Sequence, residues 1–480
     1  MYKFDFNQPI KFKKEKGQYI TPDNIAKFIV GLINISKSNI KILDPGAGSG
    51  KLSLMLLDKI LKNVSVNNIQ IDLYENDTSI IDTLKNNIKI QQKKYSKRKI
   101  KFTIIPKNYI VSNTNIWNSN NIEQYDIILG NPPYKKIDKN SPESNILSSI
   151  ICGQPNLYML FLALSIKSLK NNGELVYILP RSFFSGKYFK KFREWLFTNC
   201  YISHIHSFKS RNKLFNNEIL QELIIVKIKK IKISKIKISN SIDESDLEKS
   251  SHMIVNRNII WALNSSEKYI RLPLTNNDIQ TIDFFDKLDC KINDFGVSFS
   301  TGKIVDFRSK PYLSDSPKNN YPLIWSCNFG DTHIKWPLKN SKFYQYIAND
   351  ENVKLMNNGN YILIKRISSQ GEDKRLKINI ILKNIFKSKY FGIENHINYI
   401  YFSDQNISFM KFIYILLNSK VYNSYFNIIN GTNQVNAIDL NNLPCYNLNK
   451  IELSFYDKYK FEELDPDTCD NIIKSINQKL

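Results

Sequence analysis

The apolar residues of this chain come in short runs with two different spacings. Ile40-Lys41-Ile42-Leu43, the segment ending Leu73-Tyr74-Glu75, and Tyr125-Asp126-Ile127-Ile128-Leu129-Gly130 each read as a short strand. Glu174-Leu175-Val176-Tyr177-Ile178-Leu179-Pro180 is apolar almost throughout, the signature of a strand covered on both faces. Between these runs the spacing becomes helical. Ile25, Phe28, Ile29 and Leu32 form one face behind Thr21 as N-cap and Pro22 as first-turn residue. Lys51 to Leu61 forms a second helix, and Asn156 to Lys170 a third, closed by Asn171-Asn172-Gly173. Leu220 to Val226 is a further strand, and Lys227 to Lys237 alternates lysine with isoleucine like a strand with one solvated face. Strands and helices in alternation predict an open α/β domain over residues 1–240.

The pattern then changes. Asn240-Ser241-Ile242-Asp243-Glu244-Ser245-Asp246 opens a polar, acidic stretch, and residues 241–255 read as a linker. Beyond it come strand-like pieces, Tyr321 to Trp325, Tyr361 to Arg366 and Phe391 to Phe402, with a helical run from Phe409 to Tyr425. No internal repeat is evident. Residues 256–480 predict a separate α+β domain.

Two turns at strand ends carry candidate chemistry. Asp44-Pro45-Gly46-Ala47-Gly48-Ser49-Gly50 lies between a strand and a helix, where glycines admit a ligand to the backbone and the helix N-terminus is electropositive. Glu75, at the end of the next strand, is placed to bond ribose hydroxyls, although it follows the loop by more than the usual ~20 residues. The second turn, Asn131-Pro132-Pro133-Tyr134, sets an amide, a carbonyl held in direction by the following proline, and an aromatic ring at a sheet edge. That set suits methylation of a planar amino group. An exocyclic amine is a weak nucleophile because its lone pair is delocalised, and two acceptors on its hydrogens help the nitrogen become tetrahedral; Tyr134 offers a face for the base.

These motifs, in this order, resemble the adenine-N6 DNA methyltransferases of restriction–modification systems over roughly residues 17–227. The resemblance implies a Rossmann-like S-adenosylmethionine-dependent domain followed by a target-recognition domain. It implies cofactor contacts from the Gly17-Gln18-Tyr19-Ile20-Thr21-Pro22 segment, chiefly Tyr19, Thr21 and Pro22, and from Asp44, Gly46, Gly48 and Glu75. Asn108 and Tyr109 fall where the family has an aspartate and an aromatic for the cofactor's adenine, so Asn108 is a departure. Asn131, Pro132 and Tyr134 become the catalytic set, and Phe215, with Phe208 as rival, the aromatic on the other face of a flipped adenine. Lys135 and Lys136 beside the turn, and Arg366, Gln370, Lys374, Arg375, Asn433 and Gln434 in the second half, are the candidates for DNA contact. The second half, especially Asn430-Gly431-Thr432-Asn433-Gln434-Val435-Asn436-Ala437, resembles BsuBI- and PstI-like methyltransferases, which implies a short palindromic site such as CTGCAG. Methyltransferases of RNA and of protein glutamine share the NPPY turn and are the alternative.

Composition fits a polyanionic partner. Lys and Arg number 68 against 44 Asp and Glu, a formal charge of +24. Abundant Lys, Ile and Asn suggest an AT-rich genome, which would raise Asp as well, so the imbalance keeps its meaning. Six cysteines without a CxxC pair and five histidines without metal spacing predict no metal and a reduced, cytoplasmic setting. No run has the ~18 apolar residues of a membrane span. Double-stranded DNA is the expected partner, and the resemblance adds a cognate restriction endonuclease encoded nearby.

Overall fold

The computed structural model describes residues 17–35, 37–62, 66, 68–119, 122–210, 214–217, 221–262, 265–339, 341–368, 372, 374–383 and 385–479, without the side chains of 216, 217 and 479. The chain forms two compact units, Met1–Leu274 and Thr275–Leu480.

The first unit is built on a nine-stranded sheet: β1 (Asn39–Asp44), β2 (Asn68–Tyr74), β3 (Lys99–Ile105), β4 (Tyr125–Gly130), β5 (Leu169–Pro180), β6 (Tyr201–Phe208), β7 (Leu223–Lys229), β8 (Lys235–Ser241) and β9 (Ser251–Asn256). Their spatial order is β3-β2-β1-β4-β5-β7-β6-β8-β9. Strands β3 to β5 in that order are parallel, and β7 runs antiparallel to both β5 and β6. All six residues of β4 are buried, so both faces of the sheet centre are covered, as its apolar run requires. Helix α1 (Asp23–Gly31) buries Ile25, Ala26, Ile29 and Val30; α2 (Lys51–Ile60) follows β1; α3 (Thr78–Lys94) follows β2. Helix α4 (Leu157–Ser168) buries ten of its residues and so has no polar stripe, and α5 (Lys190–Asn199) follows β5. The chain leaves β1 toward β2 and β3, while β4 and β5 lie on its other side. This reversal sets a crevice at the carboxyl ends of β1 and β4.

The second unit is α+β. Its five-stranded sheet runs in the order Leu313–Ser314, Tyr346–Ala348, Asn320–Ile324, Tyr390–Ile393, Met356–Asn357, and a four-stranded sheet in the order Ser300–Thr301, Ile397–Phe402, Asn360–Lys365, Ile378–Ile381. Helices Asn276–Phe285, Ile407–Asn418, Lys420–Ile429 and Pro466–Lys479 complete it. No helix among the described residues is long and apolar enough to cross a membrane.

Several local expectations are corrected. Pro22, not Thr21, occupies the N-cap of α1, and no side chain caps that end. Residues 241–255 are no linker: β9 pairs with β8 from Lys235↔Asn256 to Asn240↔Ser251, and Leu247 is buried in the first unit's core. The acidic side chains there close a tight loop, with Asp246 accepting from the backbones of Ile242 and Asp243. The lysine–isoleucine alternation is split between β7 and β8, and Lys227 is buried in an ion pair with Glu174 at 2.8 Å. No turn closes α4, because β5 begins at Leu169 directly after it. The helical run from Phe409 is broken at Ser419, whose hydroxyl caps the second helix.

Candidate active site

A cavity of about 380 Å³ lies at the carboxyl ends of β1 to β4. The turn after β1 supplies Asp44, Gly46 and Gly48; the ends of β2 and β3 supply Glu75, Asn108 and Tyr109; the turn after β4 supplies Asn131; and the N-terminal segment supplies Tyr19 and Thr21. Nine sequence-predicted residues from five separate segments therefore share one space.

The N-terminal segment is bound to the NPPY turn backbone to backbone. Tyr134 donates its N–H to the carbonyl of Gly17 at 2.9 Å. Gly17 has φ +65°, and a Cβ there would stand 2.9 Å from the carbonyl carbon of Tyr134, so only glycine fits. Beside this contact Asn131 donates through Nδ2 to the carbonyl of Tyr19 at 3.0 Å and to Thr21 Oγ1 at 3.2 Å. With the nitrogen so engaged, Oδ1 is the end of the amide that has no protein donor among the described residues. Thr21 thus acts on the orientation of Asn131, and Pro22 sits at the helix entrance outside the cavity lining.

Of the carboxylates that line the cavity, Asp44 and Glu75 stand at the ends of β1 and β2 with different partners. Asp44 accepts from Ser53 Oγ at 2.6 Å through Oδ2, while its buried Oδ1 has no hydrogen-bond partner among the described residues. Burial raises its pKa to about 7; the Ser53 hydrogen bond opposes the shift and the nearby Glu75 charge adds to it. Glu75 is 5% exposed and accepts from the backbone N–H groups of Gly48 at 2.9 Å and Asp77 at 2.8 Å. Gly48 itself has φ +55°, a left-handed backbone that favours glycine in this loop. Burial raises the Glu75 pKa despite those two donors. Asp77 is the N-cap of α3, accepting from Ser79 N at 3.1 Å.

Asn108 is placed differently from its expected role. Its Oδ1 already accepts from Ile110 N at 3.0 Å and Val111 N at 3.1 Å, which uses both lone pairs, and its Nδ2 donates to Glu143 Oε1 at 2.7 Å. Tyr109 is a buried wall residue, its hydroxyl on Ser165 and its ring 5.0 Å from Tyr74 and 5.3 Å from Phe161.

Tyr134 and Phe215 lie in the same apolar cluster, linked by Tyr19. The Tyr19 ring is 5.9 Å from that of Tyr134 at 31° and 6.4 Å from that of Phe215, edge-on at 78°. Tyr134 is held at its far end by a hydrogen bond from its hydroxyl to the Ile178 carbonyl, 3.1 Å. Phe215 has φ +50°, a left-handed backbone that a bulky side chain rarely adopts. Phe208 is also buried, but packs on His206 at 4.8 Å. Pro132 is buried, and its carbonyl takes no donor among the described residues.

The DNA candidates divide. Lys135 and Lys136 are exposed, and Lys135 also lines the cavity. Asn433 and Gln434 are exposed, and Ser368 N bonds Asn433 O while Gln434 bridges the exposed Ile367. Arg366 is half-buried and donates to Asn395 O at 3.2 Å. Arg375 is corrected: it is 0% exposed and holds Ser368 Oγ, Asn430 Oδ1 and Thr432 O, tying the 430–434 loop to its own segment. Lys374 is corrected as well, because its ammonium is directed to Asn418 inside the unit. Gln370 lies outside the described residues. Gln18, within the N-terminal segment that the resemblance singled out, lines the cavity too, whereas sequence reasoning missed Glu143 and Phe161, which also line it. The signal for Glu143 was a helix start, Ser141-Pro142-Glu143, soon after the NPPY turn.

The fold and the site together define a Rossmann-like methyltransferase. A family model described as Eco57I restriction-modification methylase matches residues 49–215. The type II methyltransferase M.BsuBI of Bacillus subtilis is 31% identical over 459 residues, covering 90% of this chain and 88% of its own length. The type II methyltransferase M.PstI of Providencia stuartii is 29% identical over 479 residues, covering 98% and 93%. Among solved structures, the type IIL restriction-modification enzyme MmeI in complex with DNA aligns at a TM-score of 0.52 and 13% identity over 95% of this chain and 70% of its own, a likeness of fold. The chain belongs to the type II DNA methyltransferases of restriction–modification systems. That membership sets aside RNA and protein glutamine as acceptors.

Proposed function

We propose that this chain methylates the N6 amino group of an adenine in duplex DNA, with S-adenosylmethionine as methyl donor. The observation that carries the reading is the fixed amide of Asn131, whose nitrogen is committed to Tyr19 and Thr21 and whose oxygen is left to accept. An amino nitrogen placed there gives one hydrogen to Asn131 Oδ1 and the other to the Pro132 carbonyl, which raises electron density on the nitrogen as it becomes tetrahedral. The methylated nitrogen is cationic until it loses one hydrogen as a proton to water, so neither acceptor needs to keep that proton. The half-buried rings of Tyr134 and Tyr19 provide apolar surface for a base turned out of the duplex, with Phe215 buried beside Tyr19.

The cavity suits the donor. Asp44 Oδ1 and Gln18 Oε1 are buried acceptors without partners among the described residues, and both residues line it, a pair that fits a cationic amino group. Glu75 retains unused lone pairs for ribose hydroxyls. Pro133, Ile137 and Phe161 give an apolar wall for a purine. When bound, S-adenosylmethionine supplies an electrophilic methyl group on its sulfonium. Residues 275–480 are proposed to read the sequence, with Arg366, Asn433 and Gln434 as surface contacts, and a cognate endonuclease is the proposed genetic partner. The test is incubation with duplex DNA containing CTGCAG and with DNA lacking it, followed by mass spectrometry of the nucleosides. N6-methyladenine is the expected product; methyl on cytosine would overturn the adenine assignment.

A further inference from the structure

We propose that Glu143 recognises the exocyclic amino group of the cofactor's purine, taking over the acceptor role that the family's aspartate leaves vacant at Asn108. The inference rests on the cofactor reading above. Asn108 cannot serve directly, since Ile110 N and Val111 N occupy its carbonyl oxygen and its nitrogen is a donor. Its one outward hydrogen bond leads to a carboxylate. Glu143 Oε1 receives Asn108 Nδ2 at 2.7 Å, while Oε2 has no donor among the described residues, and Glu143 lines the same cavity as Pro133, Ile137 and Phe161.

The position of Glu143 is built rather than incidental. It lies in the first turn of the short helix Pro142–Ile146, which Ser141 caps by accepting from Ser144 N at 3.3 Å. Ser144 Oγ then donates to the Asp138 carbonyl at 2.7 Å, fixing that turn to the loop that follows the NPPY motif. An ionised carboxylate offers only acceptors, so this arrangement accepts from a purine N–H and repels a carbonyl at the same ring position. Asn108 becomes a positioning residue that aims the carboxylate, and Glu143 the group that selects adenine over a 6-oxopurine.

The test is calorimetric binding of S-adenosylhomocysteine and of its deaminated counterpart S-inosylhomocysteine to the full chain and to Glu143→Gln. The wild type is expected to prefer the adenosyl compound by about tenfold or more, the worth of a hydrogen bond to a charged group. Glutamine keeps an oxygen for Asn108 Nδ2 and gains an N–H for the inosyl oxygen, so the preference should collapse toward equality while the melting temperature stays unchanged. An undiminished adenosyl preference in Glu143→Gln would overturn the proposal. Failure of the adenosyl compound to bind the wild type would instead overturn the cofactor reading beneath it.

Discussion

Asn131 donates its side-chain N–H to the carbonyl of Tyr19, 3.0 Å away in space and 112 residues earlier in the chain. Such a bond decides which end of a nearly symmetric amide is left to accept. Under the proposed function it also makes the N-terminal segment part of the catalytic apparatus as well as of the cofactor wall. Replacing Asn131 by Ala is expected to lower the methylation rate by roughly a hundredfold or more, the usual cost of losing a preorganised polar group at the reacting centre. Affinity for S-adenosylhomocysteine should stay within about threefold, because none of the residues proposed to hold the cofactor is removed. Single-turnover kinetics and calorimetry together check it. A parallel loss of affinity would assign Asn131 to cofactor binding instead.

Glu75 holds the glycine loop and is proposed to bond the cofactor's ribose, and its removal should show both. As acceptor for Gly48 N and Asp77 N it holds the glycine loop against the start of α3. Glu75→Ala is expected to weaken S-adenosylhomocysteine binding by ~1.5–3 kcal/mol through lost charge-assisted hydrogen bonds. A lower melting temperature of the free protein should accompany it. Unchanged affinity would move the ribose contact elsewhere, although Asp77 is already committed to capping α3.

Proton release should report on Asp44. Burial raises its pKa to about 7, so below that pH the free protein holds a proton there. The raised value means that its contribution to stability is complete below the unfolded pKa of 3.8 and is lost as pH rises through about 7. A cationic group bonded to Oδ1 favours the carboxylate and expels the proton. Binding of S-adenosylhomocysteine near pH ~6 should therefore release up to one proton, seen as a dependence of the binding enthalpy on the buffer's ionisation enthalpy. The release should vanish well above pH ~7 and in Asp44→Asn. Equal release in that variant would clear Asp44.

Much of the site was legible because its parts are local. A strand end followed by Asp44-Pro45-Gly46, or by Asn131-Pro132-Pro133-Tyr134, shows its geometry in a few residues. What escaped was long-range. Nothing near Asn108 reveals that its amide is spent on its own turn and reaches Glu143, and nothing near Arg375 reveals that it is enclosed by Ser368, Asn430 and Thr432. Residues 241–255 misled because an acidic, Ser-rich stretch that folds into Asx-type turns between two strands has the composition of a linker.

Acid should destabilise the first unit through two buried histidines. His204 and His206 share Ser239 Oγ at 2.7 and 2.8 Å, and His206 reaches Ser241 Oγ at 3.1 Å. Burial lowers their pKa values from 6.5 to about 4 and about 3, with neighbouring positive charge adding to the effect. Since the folded state favours the neutral rings, their contribution is complete above about pH 6.5 and is lost as pH falls toward 4 and 3. For His204 alone this amounts to roughly 3 kcal/mol. His206→Phe should flatten the decline of the melting temperature over that range. An unchanged acid profile would show that the histidines do not govern it.

The last prediction concerns where the methyltransferase unit ends. A fragment cut at the composition break, residues 1–245, loses β9 from its ladder with β8 and the buried Leu247. It also loses two of the acceptors of Arg193, a fully buried guanidinium on α5 that donates to the Glu267 carbonyl at 2.7 and 3.0 Å and to the Lys268 carbonyl at 3.1 Å, while the carbonyls of Phe183, Ser185 and Gly186 remain. Leaving buried donors of this guanidinium without those acceptors costs on the order of 1–3 kcal/mol, a sizeable part of a domain's stability. Residues 1–274 keep all of these contacts. The longer fragment is therefore expected to melt cooperatively and to bind S-adenosylhomocysteine with an affinity within about threefold of the intact chain, while losing site-specific methylation. The shorter one should aggregate or melt well below it. Site-specific methylation by 1–274 would place sequence reading within the first unit, and equal stability of the two fragments would return the boundary to the acidic loop.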